Sequence, residues 1–162
     1  MNLEQQFQAL IQEAPQFGVP SQVMEQAVVP VLKQLVEPLK YCNYFLPQAA
    51  DGSYILTTLT HRELPDTEKK VIYVFSTPDD ASNFETIAES ADKIAEIQVI
   101  QLLFELMALK EVDSLIFMDN PGNLDKGAEI SRALLENKIQ SQLKKVTLKQ
   151  SSPKAQIPPD IA

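Results

Sequence analysis

The sequence predicts an α+β fold in one domain, and three observations predict it. Apolar residues recur at helical steps over residues 2–39, the period shortens toward two from Tyr41, and short apolar runs then alternate with capped helical stretches. The expected sheet is mixed, of about four strands, an antiparallel meander plus a central strand, with two helices added at the N-terminus. A chain of 162 residues with 44% hydrophobic residues can bury one good core and is too short for two. Residues 1–147 are read as the domain and 148–162 as a flexible tail, because KQSSPKAQIPPDIA is polar and proline-rich.

The first helix spans 2–14. Phe7, Leu10, Ile11 and Ala14 share one face, and Pro15 with Gly18 stops it. The second, 20–39, opens at Pro20 and Ser21 and carries Val23, Ala27, Val31, Leu35 and Leu39 at steps of four. Pro30 removes a backbone donor from its interior, so a kink or a division into two is expected there, and Pro38 lies near its end.

YCNYFL and SYILTTLT then fit two strands joined through the Asp51-Gly52 turn pair as an antiparallel hairpin. VIYVF at 71–75 is a third strand, and its unbroken apolar run predicts a central place. Thr77 can cap the next helix, with Pro78 first in it, Asp79 and Asp80 complementing its dipole, and Phe84, Ile87 and Ala88 facing inward. The most apolar helix candidate is 97–109, with Ile97, Ile100, Phe104 and Met107 on one stripe. So apolar a circumference needs cover on more than one side, since exposed apolar area favours association by ~25 cal/mol per Å². SLIFM at 114–118 is the fourth strand, and a last helix runs over roughly 125–145.

The net charge of −8 disfavours nucleic acid and anionic membranes as partners, because phosphate binding needs clustered Lys and Arg. The charge is uneven: residues 1–124 carry seven basic and eighteen acidic side chains, net −11, and residues 125–162 carry seven and four, net +3. One cysteine, Cys42, cannot close an internal disulfide, and no secretion signal precedes it, so a cytoplasmic location is expected. No stretch approaches the ~18 apolar residues of a membrane span.

Reactive groups are few. His61, in THRELPD, is the sole histidine; together with Cys42 it offers the one nucleophile and base pair that an enzyme reading can use. There is no Cys-x-x-Cys, no histidine pair at helical spacing and no glycine-rich calcium or phosphate loop, so no metal and no cofactor are expected. Asp79 with Asp80, and Asp119 with Asp125, read as helix-start and turn residues rather than as paired catalytic acids. The corner at Asn120, Gly122 and Asn123, a strand end before a helix, is a candidate anion-binding turn. Tyr41, Tyr44, Phe45, Tyr54 and Tyr73 cluster in the strands; without interleaved bases they suit packing or a protein interface better than base stacking.

These features favour a noncatalytic interaction or assembly adaptor over an enzyme. It would bind an extended segment of another protein in a groove beside the apolar helix or at a sheet edge, with Ile100, Phe104, Met107, Tyr54 and Tyr73 as the contact residues. The alternative is a small-ligand protein or enzyme using His61 and Cys42 or the Asn120–Gly122 corner.

From Ser53 to about Lys145 the chain resembles the amino-terminal domain of the bacterial SseB family. The matching residues are Val71, Ile72, Val74, Phe75, Ser76 and Thr77 in one signature, and Val112, Asp113, Leu115, Ile116, Asn120, Pro121 and Gly122 in the other. The chain departs from the pattern by inserting Met118 and Asp119 before Asn-Pro-Gly and by adding the N-terminal helices. The resemblance implies a mixed α/β domain without established catalysis, linked in some members to secretion or assembly. The chain also looks like small cyanobacterial proteins of carboxysome assembly that bind a shell protein's tail, although no residue motif carries that second likeness.

Overall fold

The structure, a computed structural model, describes residues 2–60, 68–84, 93–122 and 127–155, with side chains described to residue 146. Helix α1 (Leu3–Glu13) starts at a capping box: Asn2 Oδ1 accepts from Gln5 N–H at 2.8 Å, and Asn2 N–H donates to Gln5 Oε1 at 3.0 Å. A 3₁₀ turn (Ala14–Phe17) continues it and ends at Gly18, whose φ of 77° lets its N–H and that of Val19 return to the preceding turn.

The second helical stretch is divided near Pro30. Helix α2 (Ser21–Val23) passes into a π-helical segment (Met24–Val28) and then into α3 (Val29–Val36). In an α-helical ladder the Pro30 nitrogen would serve the Gln26 carbonyl, and it has no proton to give. Gln142 supplies one instead, its Nε2 donating to Gln26 O at 3.2 Å. The widened turn at the proline is thus also where the last helix packs against the N-terminal ones.

Among the described residues the sheet has six strands rather than about four. They are β1 (Asn43–Gln48), β2 (Thr57–Thr60), β3 (Glu68–Phe75), β4 (Lys93–Gln98), β5 (Ser114–Met118) and β6 (Ala128–Ser131). The order is β4-β1-β3-β5-β6, with β2 paired to β3. β3 and β5 run parallel, Val71 opposite Ser114 through Phe75 opposite Met118, and the other pairings are antiparallel. The central place expected for 71–75 and 114–118 is therefore observed.

Three expectations are corrected. The hairpin of the first two strands shrinks to one bridge, Gln48 to Tyr54, around a turn in which Asp51 Oδ1 accepts from Ser53 N–H and Gly52 has φ 88°. Both edges of β1 are already bonded, by β4 and β3, so β2 pairs along the N-terminal half of β3. Residues 93–98, whose end the period assigns to the apolar helix, form β4, because bonding across β1 outranks the period-four stripe there. Residues 128–131, read as helix, form β6 against β5. Gly127 permits this approach: a Cβ there would lie 2.5 Å from Ile116 Cγ2 and 2.7 Å from Met118 Sδ.

Helices α4 (Pro78–Asn83), α5 (Val99–Leu106) and α6 (Arg132–Ala155) are the remaining helices among the described residues. Thr77 caps α4 as expected, its Oγ1 accepting from Asp80 N–H at 3.1 Å; Ile87 and Ala88 lie outside the described residues. The last helix begins later than expected and its backbone continues to Ala155. Helices α1, α3, α5 and α6 and the π segment cover one sheet face over the main core, which includes Met24, Leu32, Tyr44, Leu46, Ile72, Val74, Leu103, Leu115 and Phe117. The opposite face holds a smaller cluster of Phe75, Ala81 and Met118, with Phe45, Tyr73, Phe84, Ile94 and Ile116 packed on it. Among the described residues no helix is long and apolar enough to cross a membrane.

Candidate functional site: a groove between α1 and α5

Helix α5 follows β4 without a loop, so its first amides need acceptors from elsewhere. Gln98, at the junction, provides no side-chain cap. Val99 N–H bonds Cys42 O at 2.9 Å, extending the ladder to β1, and Ile100 N–H bonds Gln6 Oε1 at 3.2 Å. The Gln6 Nε2 meanwhile donates to Cys42 O at 3.0 Å and to Asn43 Oδ1 at 3.3 Å. This 2% exposed amide, reaching across from α1, caps α5 and holds the two helices at a set distance. One of four glutamines in an amphipathic helix gives no sign of such a role; its place beside Phe7 on the buried side is the available signal.

Between the helices lies a groove of about 190 Å³. Leu10 and Ile100 form its floor, Phe17 and Phe104 one end, and Gln6, Ala9, Glu13, Gln98, Gln101 and Glu105 its walls and rim. Phe17 is 50% exposed, and its ring tilts against that of Phe104 at a centroid separation of 5.0 Å. Among the described residues, the side chains of Glu13, Gln98 and Gln101 have no hydrogen-bond partner. Glu105 accepts from Tyr54 Oη at 3.0 Å. Burial pushes its carboxyl above the ordinary range, an effect the Tyr54 bond partly offsets; burial and the neighbouring carboxylate push the Tyr54 hydroxyl up as well.

The expected contact residues are distributed as follows. Ile100 and Phe104 meet in the groove, and Tyr54 reaches it through Glu105. Ile100 is 1% exposed, so it supports the groove from beneath. Met107 is partly buried against the main core at the end of α5, beyond the groove lining. Tyr73 belongs to the opposite face, stacked edge-on with Phe84 at 4.7 Å, because alternation along β3 sends Ile72 and Val74 to the main core and Tyr73 and Phe75 away from it. Chain cover also explains the apolar helix itself: Val99, Ile100, Leu102, Leu103 and Leu106 are all buried.

The corner after β5 is closed by the chain's own groups. Gly122 N–H donates to Asp80 Oδ2 at 3.0 Å, so the anion at this turn is a carboxylate from α4. Asp119, buried, accepts from the Tyr44 hydroxyl and from Lys40 N–H, and Asn120 Oδ1 accepts from Lys40 Nζ at 2.6 Å. Burial, and then Asp119, push the Tyr44 hydroxyl far up, keeping it a donor. Asn123 and Asp125 lie outside the described residues.

Cys42 is half-buried and unbridged, and His61, its supposed partner, lies outside the described residues. Among the described residues no group of three His, Cys, Asp or Glu side chains could hold a metal ion. No protein-family model matches the chain, and no curated protein matches it.

Proposed function

We propose that this protein is a noncatalytic binding module, an adaptor whose α1–α5 groove takes an apolar side chain from an extended segment of another polypeptide. The groove carries the reading. Its volume is below the ~300 Å³ at which small-molecule sites begin, which suits one anchoring side chain better than a whole substrate. Its floor is apolar, its rim carries unpaired amides that can bond a peptide backbone, and an exposed phenylalanine stands at one end. Secretion-linked segments and shell-protein tails are the partner classes that the family resemblances imply.

The test is a pull-down from native extract with the wild-type chain beside Ala9→Trp, which plugs the groove without changing charge. Ala9 is half-buried in its wall, so the fold should survive, as circular dichroism would verify. Partners retained by the wild type and lost with the plug are expected. An identical set from both proteins would sink the proposal.

A further inference from the structure

We infer that the segment received by the groove is cationic: an apolar anchor flanked by lysine or arginine. The inference rests on the groove reading above and adds the chemistry of the occupant. Among the described residues lining the groove there are two carboxylates, Glu13 and Glu105, and no lysine or arginine. Glu13 is exposed on the rim and has no ion-pair partner among the described residues. Glu105 is half-buried and receives one bond from Tyr54, a neutral donor, so its charge is uncompensated where apolar burial already disfavours it. A cation delivered there would relieve a charge that the fold leaves unmatched.

Two further features favour the same occupant. The exposed Phe17 ring, supported by Phe104, offers a π face on which a guanidinium can stack. Residues 1–124 also carry a net charge of −11, so the chain as a whole favours encounter with cationic segments over acidic ones. The basic residues of the chain concentrate instead toward its C-terminal part, residues 125–162, net +3.

The experiment uses fluorescence anisotropy with the full chain and three synthetic peptides that share a central phenylalanine and differ in its flanks: lysine and arginine, serine and glutamine, or glutamate. The basic peptide should bind about tenfold more tightly than the neutral one, the gain expected from two ion pairs of about 0.7 kcal/mol each, one at the exposed rim and one half-buried. That ratio should approach one in about 1 M salt, where the screening length is ~3 Å, and in the folded double variant Glu13→Gln with Glu105→Gln. Ala9→Trp should abolish binding of the basic peptide. If the neutral or acidic peptide binds equally well or better, and Ala9→Trp removes that binding, the charge inference falls and the adaptor reading stands. If no peptide shows binding sensitive to Ala9→Trp, both fall. Self-association that Ala9→Trp abolishes, without peptide binding, would make the occupant a second copy and overturn the inference.

Discussion

The α1–α5 groove and the corner after β5 both set polar groups over an apolar floor, yet they differ in what those groups already hold. The depression at the corner is the larger, about 250 Å³ against about 190 Å³. At the corner, however, Asp119, Asn120 and the Gly122 amide are matched by Tyr44, Lys40 and Asp80. In the groove, Glu13, Gln98 and Gln101 are unmatched among the described residues, and Glu105 has a neutral partner. Buried, matched polar groups fix a structure, whereas groups that face solvent stay available to a ligand.

The comparison can be broken most forcefully at the corner. Tyr44→Phe leaves a buried Asp119 oxygen without its donor and should destabilise the fold by about 2–3 kcal/mol, read as a lower urea midpoint at unchanged m. Tyr41→Phe, on the exposed neighbour, should stay within about 0.5 kcal/mol. Equal effects would mean that the corner is not closed by that bond.

At the groove the structural bond is Gln6. Gln6→Leu strips the Ile100 amide of its acceptor and should cost about 1–2 kcal/mol, while Gln8→Leu, on the exposed side of α1, should cost little. Because the substitution also loosens the spacing of α1 and α5, it should weaken peptide binding even where the protein is fully folded. Binding unchanged by Gln6→Leu would separate the cap from the groove.

Gly127→Ala probes the approach of β6 to β5. The added methyl meets Ile116 and Met118 at less than contact distance, so a loss of about 1 kcal/mol is expected in the same unfolding assay. A neutral outcome would show that β6 yields.

The smallest effect concerns pH. Burial holds the Glu105 carboxyl above its ordinary value of 4.5, so the folded state binds that proton more tightly than the unfolded chain does. Stability from this source is fully present below that ordinary value and is lost as pH rises through the raised one. Glu129 runs the other way: its bonds to Lys69 and Ser114 hold its carboxyl low, and its contribution is lost as pH falls. Glu105→Gln should therefore flatten the decline in stability above about pH 4.5, and Glu129→Gln should flatten the loss on the acid side, as thermal midpoints across pH would report. A Glu105→Gln profile that parallels the wild type would place the carboxylate in water and remove one support for a charged occupant.

Much of the scaffold was legible because its signals are local. Thr77-Pro78-Asp79-Asp80 is a helix start by capping chemistry alone, Asp51-Gly52 makes its turn, and the apolar runs 71–75 and 114–118 are central strands. Other elements were hidden by signals that mimic helix. The period-four stripe of Ile97, Ile100, Phe104 and Met107 runs through the junction of β4 and α5, and AEIS is too short to declare itself a strand; Gly127 before it was the one local warning. In the candidate site, Phe104 and Ile100 follow from the stripe, whereas Gln6, Ala9 and Glu13 come from α1 and Phe17 from the turn that ends it, remote in sequence.

By itself, the order of residues determined the α+β class, the central strands, the Thr77 helix cap and the acidic body, since propensity, capping and charge act over a few neighbours. Tertiary structure decided which edge β2 found, that Asp80 fills the Gly122 turn, and that Gln6 caps a helix ninety-four positions away. Those outcomes depend on which groups burial leaves without water, and that is settled only when distant segments compete for the same partners.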